Sequence, residues 1–177
     1  MAVEDVPSSY GDEDAVAPWE IYPAHTAFYL NGYPLQDTFF SAHIMIFPVG
    51  EFRSMSSQAG SVVDDLQQYL TYGSLTVGEH IPFFPLFNAA QFITAKIKKL
   101  SFQNGEGVRF VTLYTQSGPP INNNELFYAF QGITSDGSKY ISAIFPLNHP
   151  NLSADSSLPD DMDWQEWALV AEDYVAD

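Results

Sequence analysis

Four of the chain's six basic residues crowd one short stretch: Lys96, Lys98, Lys99 and Arg109. Set in the field of 22 acidic residues, such a cluster is suited to holding a small anion or a glycan. The structural alternative is edge protection, because lysine on an exposed strand discourages pairing between sheets. Glu125 opens a stretch rich in Phe and Tyr. An apolar setting raises a carboxyl's pKa, so Glu125 with an Asp is the pair that a glycosidase would use. A solvated glutamate at a strand end is its alternative. Asn122-Asn123-Asn124 forms an amide-rich loop that either binds a polar ligand or satisfies backbone groups. Tyr29, Tyr33, Phe83, Phe84, Tyr114 and Tyr128 are candidates for stacking on sugars, although most of 27 aromatics must be core. The candidate ligand-binding set is Lys96, Lys98, Arg109, Tyr114, Phe83, Phe84, Asn123, Asn124 and Glu125.

Other chemistries find no pattern. His25, His43, His80 and His149 form neither HExxH nor H-x-H spacing. A metal site shared by His25 and His43 is set against two hydrogen-bonded structural histidines. There is no G-x-S-x-G elbow and no S-x-x-K. With no cysteine, disulfides, thiolate metal sites and Cys nucleophiles are excluded. Asp64-Asp65 and Asp160-Asp161-Asp163 are dense in carboxylates but form no EF-hand loop. No catalytic residue, metal ligand or cofactor is assigned. A net charge of −16 opposes nucleic acid and anionic lipid as partners. It fits an acidic extracellular surface or a saline habitat. Asn151-Leu152-Ser153 matches an N-glycosylation sequon. No apolar run reaches the roughly 20 residues that span a bilayer. Met1–Asp5 lacks the basic and apolar regions of an export signal.

The elements that must position these residues alternate little between types. Residues 1–18 read as a flexible acidic leader, and 19–177 as one domain. Residues 25–31 and 38–48 read as strands. Residues 59–72 read as a helix capped by Ser61 and ended by Gly73. The proline-rich Ile81–Phe87 segment is neither helix nor central strand, and lies on the core or forms a binding lip. Residues 92–103 and 108–116 flank Asn104–Gly107 as one hairpin; 125–134 and 138–147 flank Ser135–Gly137 as a second. Carboxylates from Asp160 precede a final helix over 161–175, with Trp164, Trp167, Ala168 and Ala171 on one stripe. Consecutive hairpins with about two packed helices predict an α+β domain on an antiparallel sheet.

Three stretches carry a resemblance: Ile81-Pro82-Phe83-Phe84-Pro85-Leu86-Phe87-Asn88-Ala89-Ala90-Gln91, Pro120–Gly132, and Asp136-Gly137 with Tyr140–Pro150. Across about residues 20–175 the chain resembles secreted or lipid-anchored bacterial proteins of unassigned activity. The resemblance implies an extracellular or cell-envelope location, with the signal segment removed, and no catalytic residues. The order of elements is also similar to that of PsbP- and Mog1-like domains, by analogy alone.

The reading is a non-enzymatic exported or cell-surface domain that binds a partner protein or glycan, without nucleic acid. A glycan hydrolase with paired carboxylates and a structural subunit of a surface assembly are the alternatives.

Overall fold

The computed structural model describes residues 1–11, 17–73 and 80–176. Among them nine strands and three α-helices form in the order β1 (Ala2–Val6), β2 (Ser9–Tyr10), β3 (Ile21–Tyr22), β4 (His25–Tyr29), β5 (His43–Pro48), α1 (Val49–Met55), α2 (Ser57–Tyr72), β6 (Ala90–Phe102), β7 (Gly105–Thr115), β8 (Phe127–Thr134), β9 (Lys139–Pro146) and α3 (Trp164–Ala176). Seven strands make one antiparallel sheet ordered β1-β4-β5-β9-β8-β7-β6, and β2 pairs with β3 alone. The α+β antiparallel fold expected from the hairpins is the fold observed.

The chain crosses from β5 at mid-sheet to the far edge through α1 and α2, then meanders back from β6 to β9. That crossing lays α2 over one face. Val63 and Leu66 of α2 join Phe47, Val108, Phe110, Phe127, Ala129, Tyr140 and Ile144 of the sheet in one buried core. At 25 cal/mol per Å2 of apolar surface, this burial is the main stabilising term.

Several local readings shift. Residues 2–6, expected in a flexible leader, instead extend the sheet as edge strand β1, with Val3 opposite Phe28. Residues 12–16 of that leader lie outside the described residues. The helix over 59–72 begins earlier. Ser56, not Ser61, caps α2 by accepting from the Ala59 amide at 3.3 Å, while the Ser61 hydroxyl donates to the Ser57 carbonyl at 3.0 Å. Gly73 ends α2 in the left-handed region at φ 78°, as expected. The first hairpin turns at Gln103-Asn104, and Gly105 and Gly107 lie inside β7. Asp163 and Glu166 cap α3 reciprocally: the Asp163 carboxylate accepts from the Gln165 and Glu166 amides, and the Glu166 carboxylate from the Asp163 amide.

The Ile81–Phe87 segment lies on the core, and two buried glutamines explain why. Gln131 Oε1 accepts from the Phe84 amide at 2.9 Å and from the Tyr140 hydroxyl; its Nε2 donates to Ser142 Oγ at 2.9 Å. The Ser142 hydroxyl donates in turn to the Phe84 carbonyl. Gln91 grips the Ile81 backbone, its Oε1 accepting from the amide at 2.9 Å. An extended segment with two prolines cannot satisfy its own backbone, so two sheet amides do it. Phe83 and Phe84 are thereby seated in the core, 5% and 2% exposed.

Candidate functional site

Strand alternation gives the sheet a second face, opposite the one that α2 covers. Its positions follow from the register. One row across the sheet reads Val3, Phe28, Ile44, Ala143, Phe130, Arg109, Lys98. The next reads Asp5, Thr26, Ile46, Ile141, Gly132, Gly107, Leu100. Phe28, Ile44, Ile46, Ile141, Phe130 and Leu100 are each half-buried, in contrast to the sealed opposite face.

The face is flat where it is most aromatic. Gly132 and Gly107 stand side by side in the register, and the Phe130 ring lies over both. A Cβ at Gly132 would fall 2.8 Å from that ring. Only glycine leaves room for such a close approach. Phe102 meets Phe130 edge-on at 5.9 Å between ring centres.

Beside this platform lie the cations. Lys98 and Arg109 are direct cross-strand partners on the open face. Like charges set opposite one another destabilise a sheet by a few tenths of a kcal/mol to about 1 kcal/mol. Arg109 sits 5.7 Å from the Tyr128 ring centre, a cation–π contact on the same face. Lys139, at the end of β9, also belongs to this face by strand parity. Among the described residues the one ion pair is Arg53–Asp64, on the surface at 2.5 Å. The open face therefore holds three cations outside any ion pair among the described residues. The one acid on its strand positions is Asp5 at the opposite edge, which accepts from the Thr26 hydroxyl at 3.2 Å.

The other expected site residues disperse. Lys99 turns to the helix face, where its Nζ donates to the Leu70 carbonyl at 3.0 Å and stands 5.1 Å from the Tyr69 ring centre. Lys96 occupies a bulge in β6 with φ 55° and is exposed. Tyr114 packs against the core; its hydroxyl accepts from Gln91 Nε2 at 3.0 Å, and burial raises its pKa. Phe83 and Phe84 are core residues and not a binding lip. Asn123 ties two loops together, donating to the His149 and Leu152 carbonyls and accepting from the His149 amide at 2.7 Å. Glu125 accepts from Asn122 Nδ2 at 2.9 Å, inside the turn that Asn122 organises. Asn124 lines a shallow groove of about 290 Å3 with Gln36, Asp37, Thr38 and Asn148. The amide loop thus chiefly satisfies backbone groups.

The two strand histidines are buried on the helix side of the sheet. Nδ1 of His25 lies 2.9 Å from the Pro23 carbonyl, and Nδ1 of His43 lies 2.7 Å from the Ser41 carbonyl. Each Nδ1 therefore carries the proton, and the buried Nε2 of His43 has no hydrogen-bond partner. Burial lowers both pKa values. Among the described residues no group of three His, Asp or Glu side chains is placed to hold a metal ion.

The residues that sequence reasoning missed are Phe28, Ile44, Ile46, Phe130 and Ile141, and the glycines beneath Phe130. A Phe two residues from a Gly on one strand, with a second Gly on the neighbouring strand, is the signal that points to them. No helix among the described residues is long and apolar enough to cross a membrane. No family model matches the chain, and no curated protein sequence or solved structure matches it significantly.

Proposed function

We propose that this protein is a non-enzymatic binding domain and that the open face of the sheet is its binding surface. The carrying observation is the continuous half-exposed apolar face bearing Lys98, Arg109 and Lys139 in a chain of net charge −16. Its ligand is apolar, flat or helical on one side, and negatively charged: the aromatic platform supplies desolvation, and the cation pair supplies direction. Anion binding also relieves the repulsion between Lys98 and Arg109. An exported or cell-envelope setting is part of the proposal; it rests on the acidity and the resemblance to secreted proteins.

The test uses anilinonaphthalene sulfonate, an anionic aromatic probe, titrated into the native chain at sub-micromolar protein. Fluorescence should rise saturably and weaken with added salt. Arg109→Glu should abolish the rise, while far-UV dichroism stays unchanged. A native chain that leaves the probe dark, or one whose response survives Arg109→Glu, sinks the proposal. Location has its own check: in the source cells the chain should fractionate with the envelope or the medium, and recovery in the cytosol alone would remove that part.

A further inference from the structure

We propose that the open face receives helix α3 of a second copy of this chain, so that two copies exchange helices. The inference rests on the open face being a binding surface, and it names the occupant.

The helix complements the face in both apolarity and charge. Trp164 is 52% exposed and Leu169 is 84% exposed, unusual values for large apolar side chains. At about 100° per residue, Trp164, Ala168 and Leu169 share one arc of about 140° around the helix. Gln165 and, in the third turn, Glu172 are the polar residues on that arc by position in the helix. The arc is flanked by acid. From Asp155 to Asp177 the chain carries eight carboxylates, and it has no Lys or Arg after Lys139. The most acidic helix of the fold thus carries an unburied apolar stripe, and the most cationic surface carries an unburied apolar sheet. The dimensions also agree. Thirteen residues make a helix of about 20 Å, and six interstrand spacings span about 29 Å.

A second copy is favoured over the chain's own helix by where α3 is held. Trp167 is 5% exposed, and its indole N–H donates to the Gly118 carbonyl at 2.8 Å. Its ring closes a pocket with Pro120, Leu158 and Pro159. Trp167 lies about 160° around the helix from Leu169, so seating Trp167 turns the Leu169 side outward. In a two-fold arrangement each chain supplies one helix and one sheet face.

Light scattering on the full chain at about 100 μM and 150 mM salt should give the mass of a dimer. Leu169→Asp and Arg109→Glu should each weaken that dimer by about tenfold or more in Kd. Both positions leave the core untouched, and far-UV dichroism checks that both chains fold. The decisive step is mixing. A Leu169→Asp chain keeps an intact sheet face, and an Arg109→Glu chain keeps an intact helix. Where each change abolishes its contact, two copies of either variant have no native contact, whereas a mixed pair keeps one; an equimolar mixture should then form heterodimers, weaker than the native dimer, at concentrations where each variant alone is monomeric. A native chain that stays monomeric in both low and high salt overturns the proposal. So does a dimer indifferent to both variants. So does a dimer broken by Arg109→Glu alone without rescue on mixing, because that outcome means two sheet faces packed together. The Leu169→Asp chain separates the two levels. If no dimer forms but this chain still binds anilinonaphthalene sulfonate, the face remains a binding surface with another occupant. If it binds no probe either, the binding surface itself is wrong.

Discussion

The two faces of one sheet follow different rules. Under α2, Phe110, Phe127 and Tyr140 are fully buried, and the buried polar side chains Gln131 and Ser142 are hydrogen-bonded. On the opposite face Phe130, Ile46 and Ile141 stay half in water, and two cations are paired with each other across strands. The first face holds the fold together. The second tolerates exposure and repulsion that folding alone would remove.

Truncation should break the symmetry most visibly. Phe110→Ala, on the sealed face, should cost about 3–5 kcal/mol through lost burial and a cavity. Ile141→Ala on the open face should cost less, about 2 kcal/mol or below, because that side chain is partly exposed and its loss leaves no closed cavity. Denaturant melts of both variants check the pair, and equal losses would mean that the open face is sealed in solution. Gln131→Leu comes next. It leaves the Phe84 amide, the Tyr140 hydroxyl and Ser142 short of partners, at about 1–3 kcal/mol for each buried group left unsatisfied. Its melting temperature should drop accordingly.

Acid should sharpen the contrast from the sealed side. Burial lowers the pKa of His43 and of His25 below 6.5, so the unfolded chain binds protons that the folded chain refuses. Their contribution is fully present above pH 6.5 and is lost as pH falls below it towards the folded-state values. Melting temperature should therefore fall between pH 7 and 5, and His43→Gln should flatten the slope. A slope unchanged in that variant would remove His43 as its source. The smallest effect belongs to the open face. Arg109→Gln should change stability by less than about 0.5 kcal/mol, with a slight gain at low salt from relieved repulsion. A large loss would show that Arg109 is structural.

The sequence was legible where local signals agree with the fold. Gly73 and the Ser135–Gly137 turn mark their boundaries because φ above 0 favours glycine. Strand β1 was hidden because an edge strand facing solvent reads as polar, and Ala-Val-Glu-Asp-Val looks like a leader. Of the four clustered cations, only Lys98 and Arg109 share the candidate site. The bulge between Ala95 and Lys98 puts an extra residue into β6, so strand parity cannot be counted through it. The sequence leaves Phe83 and Phe84 open between the core and a binding lip because nothing local shows that Gln91 and Gln131, 10 and 47 positions away, hold their segment inward. The open face escaped notice because alternation reveals a strand with one wet side, and β8 and β9 are apolar on both.

The ring of Phe130 over Gly107 and Gly132 also dictates the order in which this surface can change over time. A side chain added at either glycine meets the ring first, so both positions are closed while Phe130 remains. Once Phe130 is replaced by a small residue, the ring no longer bars position 132, whereas position 107 stays closed by the Gln131 carbonyl, 2.6 Å from where a Cβ would stand. The path towards a rougher face therefore runs through the aromatic first and then through Gly132. A descendant carrying Ala at 132 should already have lost the phenylalanine.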